Sequence, residues 1–164
     1  MKKQLLTLAL MCMVAYGASA QQLVDYEYAK YGLGFKAPVG FNIKTNTDKS
    51  FAIDNGKNVT FQVNPYRNAN VDKALDVARV AYQNLGCANK QVAEESEVEM
   101  EGFEGYYFVG SGDYNGREVI FIAVGALDRD SDVNFYCIGQ FWADAQAESN
   151  TDLVLNLIAS FHKQ

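Results

Sequence analysis

Two Asn-Gly pairs, Asn55-Gly56 and Asn115-Gly116, stand between runs of alternating or wholly apolar residues. Both residue types tolerate positive φ, which a tight reversal matched to strand twist requires, so each pair predicts a hairpin and with it antiparallel pairing. Around the first pair, residues 50–54 and 58–64 read as strands, with Val59, Phe61 and Val63 alternating against Asn58, Thr60, Gln62 and Asn64. Around the second, residues 105–113 and 117–127 do the same. Residues 119–124 are apolar at every position, a pattern foreign to a strand wetted on one face, and so predict a central strand covered on both sides. Such a sheet needs an apolar layer on each face.

Helical spacing supplies that cover. Val71, Ala74, Leu75, Ala78, Ala81, Tyr82 and Leu85 fall on one stripe of residues 70–85, with Asn70 as the expected N-cap and Gly86 as the stop. A second stripe, Leu153, Val154, Leu157, Ile158 and Phe161, follows a cap expected at Ser149 or Asn150. Residues 31–39, 91–100 and 133–142 read as further strands, the last set off by the turn Asp128-Arg129-Asp130-Ser131-Asp132. The expected class is α+β, a twisted antiparallel sheet with two main helices packed on it.

Residues 1–20 read as a cleavable secretory signal peptide of bacterial pattern. Lys2 and Lys3 supply the positive end, residues 5–15 carry no charge, and Ala18-Ser19-Ala20 offers the small residues that precede a cut before Gln21. The apolar run is too short to span a bilayer. Cys12 is not expected to carry a lipid anchor, because the bulky Met11 precedes it and no small-residue box does. Residues 21–164 are then expected as a single domain, free in the periplasm or the medium. The chain holds 14 basic and 20 acidic residues, a net charge of -6, and loss of Lys2 and Lys3 deepens the imbalance. That sign disfavours nucleic acid and anionic membrane surfaces as partners.

The opening Tyr31-Gly32-Leu33-Gly34-Phe35-Lys36-Ala37-Pro38-Val39-Gly40-Phe41 resembles the entry strand of the PsbP-like fold, a glycine-phenylalanine strand followed by proline-x-glycine-aromatic. The closing Leu157-Ile158-Ala159-Ser160-Phe161 resembles that fold's last helix. The likeness extends in element order over nearly all of residues 21–164. Members include an extrinsic photosystem II subunit, a Ran-binding nuclear import factor and exported bacterial domains of the DcrB and LpqN type. The resemblance implies an accessory or partner-binding role and transfers no site residue, because members bind unrelated partners.

Several constellations compete as sites. Glu95, Glu97, Glu99 and Glu101 alternate along a strand and form a candidate surface for a basic partner; solvation of an exposed face is the simpler reading. Tyr107, Phe135 and Trp142, within an aromatic-rich sector, could line a pocket for a sugar or an apolar ligand. Asp128, Asp130 and Asp132 have the spacing of a calcium loop, yet Val133 stands where that loop needs glycine and Gly139 where it needs glutamate, so a solvated turn is preferred. Cys87 and Cys137 can pair in an oxidising compartment; two separately buried thiols are the open alternative.

Catalytic signatures are missing where they would be legible. Ser111 in Gly110-Ser111-Gly112 is not a nucleophile elbow, and His162, the single histidine, stands near the chain end. No phosphate loop, dinucleotide fingerprint or zinc spacing occurs, and no cofactor is expected. The leading expectation is an exported, non-enzymatic accessory or protein-binding domain of the bacterial envelope. A small-ligand carrier or sensor is the second reading, and a hydrolase using paired carboxylates the third.

Overall fold

The computed structural model describes residues 21–68 and 70–164. The signal peptide, with Cys12, lies outside the described residues. Tyr26 and Tyr28 alternate with Asp25 and Glu27 to make Leu23–Tyr28 the strand β1, which pairs antiparallel with β2 (Leu33–Pro38). β3 (Asn42–Asn46), β4 (Phe51–Asp54) and β5 (Thr60–Tyr66) follow, then α1 (Ala74–Gln83). A meander of β6 (Ala88–Met100), β7 (Phe103–Tyr114), β8 (Arg117–Leu127) and β9 (Asn134–Trp142) leads to α2 (Ala147–Ala159) and the short β10 (His162–Lys163).

The main sheet has the order β3-β4-β5-β9-β8-β7-β6, antiparallel throughout, and β1-β2-β10 form a small second sheet. β8 is interior, as its unbroken apolar run predicts. Its side chains divide by parity: Val119, Phe121 and Ala123 pack with Ala78, Ala81 and Leu85 around α1, while Ile122, Val124 and Ala126 face α2 and the small sheet. On this second face Phe35 of β2 stacks on Phe161 at 5.5 Å and meets Phe61 of β5 edge-on at 5.9 Å, joining the two sheets. Each such fully buried ring contributes about 1.5–3 kcal/mol of transfer free energy.

Two glycines set how close the helices come. A Cβ at Gly125 would lie 2.3 Å from the backbone of Ala74 and Ala78, so α1 rests directly on β8. On the opposite face a Cβ at Gly139 would lie 2.5 Å from Val154 of α2.

Three expectations need correction. α1 begins three residues later than its stripe implies: the Asn70 amide is engaged by Asn68 Oδ1 at 3.0 Å, and Lys73, in extended conformation, occupies the N-cap without a side-chain bond. α2 begins earlier, so Ser149 and Asn150 lie inside its first turn, and Phe161 lies past its end. The segment after Phe161 pairs with β2 as β10. Of the two Asn-Gly pairs, Asn115-Gly116 alone makes a two-residue hairpin, with φ of 49° and 75°. Asn55-Gly56 opens a wider loop, in which Asn55 Oδ1 accepts the amides of Lys57, Asn58 and Val59 at 3.0–3.1 Å. Of the two readings open for Cys87 and Cys137, the structure has the unpaired one: both are free, buried thiols. Cys87 packs beneath α1 and Cys137 on the other face of the sheet, so the sheet itself separates them. Burial pushes both thiols up from their usual pKa.

Candidate functional site

β6 is the outermost strand of the main sheet, and among the described residues no strand lies beside its far edge. Bulges interrupt its pairing near Ala88–Gln91 and Val92–Glu94, after which the register with β7 is regular to Met100. On this regular stretch Glu95, Glu97 and Glu99 are exposed and stand opposite Phe108, Tyr106 and Glu104, on the side of the sheet that carries α1. Desolvation first, then the Glu95 and Glu97 carboxylates, raise the Tyr106 hydroxyl above its usual pKa. Glu101 leaves the row: it sits in the β6–β7 turn, and its amide donates to the Phe161 carbonyl at 3.1 Å. Alternation was carried one residue past the strand end.

Glu104 is gripped by Arg129 through two bonds of 2.7 and 2.9 Å. That guanidinium holds its carboxyl below the ordinary range.

The expected aromatic pocket is not formed. Tyr107 and Phe135 point into the core on the α2 side, 6% and 2% exposed, whereas Trp142 stands on the opposite face, since strand side chains alternate. Phe135 is filled against by Tyr31 at 5.8 Å and Phe103 at 6.0 Å. Tyr107 donates its hydroxyl to Glu94 Oε1 at 2.8 Å, and burial followed by this carboxylate pushes it up to about 12.

The three aspartates of the β8–β9 turn do not converge either. Lys163 Nζ lies 2.6 Å from Asp128 Oδ1 and 3.3 Å from Asp130 Oδ2, while Asp132 pairs with Arg67 at 2.9 Å. An ammonium thus occupies the place between the first two carboxylates, and no group of metal-ligating side chains occurs among the described residues.

One feature was missed by sequence reasoning. The β4–β5 loop and the β7–β8 hairpin come to the same end of the sheet and flank a cleft of about 550 Å³, on which Tyr114, Trp142, Asn58 and Gln140 border. Tyr114 and Trp142 have ring centroids 6.3 Å apart, and the Arg117 guanidinium lies 3.9 Å over the indole. Both loops carry an Asn-Gly pair, a signal that marks the turns without showing that they are neighbours.

No protein-family model matches the chain, and no curated protein sequence does. Solved structures do. The Saccharomyces cerevisiae Ran-binding protein Mog1p superposes with a TM-score of 0.67 at 11% identity, over 88% of this chain and 96% of that one. LpqN, involved in cell envelope biogenesis of Mycobacterium tuberculosis, gives 0.60 at 12% identity, over 87% and 91%. Cyanobacterial PsbP (CyanoP) from Synechocystis sp. PCC 6803 gives 0.57 at 15% identity, over 92% and 98%. With two helices on a main antiparallel sheet and a small sheet behind it, the chain has the PsbP-like fold.

Proposed function

We propose that the protein is an exported, non-enzymatic accessory domain of the bacterial envelope that holds a protein partner along β6. The observation that carries this reading is an uncovered edge strand whose regular stretch bears Glu95, Glu97 and Glu99. Free backbone amides and carbonyls at such an edge accept an extended segment, and a row of carboxylates selects a basic one. The bulges nearer Ala88 blunt pairing there and leave the acidic stretch as the competent part of the edge. Ran binding by Mog1p and the envelope role of LpqN support an accessory rather than a chemical role on this fold.

Envelope extract passed over the immobilised protein is expected to yield a reproducible partner. Its recovery should fall about tenfold or more with Glu95→Lys, Glu97→Lys and Glu99→Lys combined, as charge reversal at an interface costs several kcal/mol. Circular dichroism establishes that the variant is folded. Equal recovery by the variant, or none by the folded wild type, overturns the reading.

A further inference from the structure

We propose that the cleft between the β4–β5 loop and the β7–β8 hairpin binds a saccharide, an uncharged pyranose chain that stacks on Tyr114 and Trp142. This site uses none of the β6 residues and stands apart from the partner-binding reading. Tyr114 is 44% exposed and Trp142 is half-buried, so two rings set 47° apart leave apolar surface in an open cleft. Arg117, stacked on the indole, holds Trp142 in one orientation.

The rest of the lining is polar. Gln140 and Lys57 make no side-chain hydrogen bond among the described residues, and both border the cleft with Asn58. An apolar ligand would strip water from these groups and return nothing, at a cost for each. An anion would find only the Lys57 ammonium unpaired, while the Asp54 carboxylate, also on the cleft wall, repels it and already holds Lys44 at 3.2 Å. A pyranose satisfies both parts of the wall: its C–H face lies on aromatic rings, and its hydroxyls donate to amide oxygens and accept from amide N–H groups and an ammonium. The cleft volume of about 550 Å³ falls within the range of small-ligand sites. Its loop wall is preorganised by the three amide bonds to Asn55, so binding need not order it.

Trp142 is the single tryptophan of the chain and reports on the site directly. The exported protein is titrated with cellotetraose, maltotetraose and chitotetraose while tryptophan emission is followed, with calorimetry on the same samples. At least one sugar is expected to give a saturable change, weakened roughly tenfold by Tyr114→Ala and by Gln140→Ala. The triple lysine variant of β6 should bind the sugar unchanged. Absence of a saturable response to all three sugars up to about 10 mM overturns the proposal. So does a response that Tyr114→Ala, shown to be folded, leaves intact.

Discussion

Tyr107 shows how one core residue can make stability depend on pH. Its ring is buried between β8 and the α2 layer, while its hydroxyl reaches Glu94 on the edge strand. Tyr28 is alike, donating to the Thr47 carbonyl at 2.6 Å, with burial as the main cause that pushes it up to about 12. The folded state therefore holds these protons more tightly than the unfolded chain, whose tyrosines titrate near their ordinary value of 10.0. The contribution is fully present below pH 10 and is lost as pH rises towards about 12. Urea unfolding at a series of alkaline pH values should show this decline, and Tyr107→Phe should flatten it. The same variant loses about 1 kcal/mol at neutral pH with the hydrogen bond. A decline of unchanged slope in Tyr107→Phe would assign it to other groups.

At the scale of elements, helix docking rests on the two glycines that face α1 and α2. Gly125→Ala places a methyl group against helix backbone, which cannot swing aside as a side chain can. A loss of about 3 kcal/mol is expected, read as a lower urea midpoint at constant slope. Gly116→Ala, by contrast, has open space around its Cβ and is opposed only by its positive φ, so it should cost less. The stripe of α1 was legible because helical period is a local property of the chain. Its starting point was not, since Asn70 is held by a loop bond to Asn68 that has no sequence signature of its own. β1 and β10 were missed for a related reason: β1 has no turn residues ahead of it to mark a boundary, and β10 is too short to show alternation.

The whole molecule is an acidic α+β body with an acidic edge strand at one margin of its main sheet and a cleft at one end of it. Among the described residues no helix is long and apolar enough to cross a membrane. If the leader is processed as its pattern implies, protein recovered from the producing cells begins at Gln21. Intact mass and N-terminal sequencing of that material check this expectation, and a chain that retains Lys2 and Lys3 would contradict it. The oxidising compartment implied by the proposed export is one in which thiols can pair. With the sheet between them, Cys87 and Cys137 should react with a thiol reagent as two free groups once the protein is denatured, without prior reduction.

Local chemistry was enough to determine the class of this fold. Positive-φ turn residues, period-two strands, an unbroken apolar run at β8 and two helical stripes each act over a few residues, and together they admit little besides helices on an antiparallel sheet. The chain alone did not determine which side chains meet. Whether Cys87 reaches Cys137, whether Tyr107, Phe135 and Trp142 share a wall, and whether three aspartates surround an ion all depend on strand order and parity. In each case the neighbour is distant in sequence: Lys163 joins Asp128, Arg129 grips Glu104, and the two Asn-Gly loops enclose one cleft. Those meetings are decided by how the layers pack, because burying both faces of β8 fixes which residues look up and which look down.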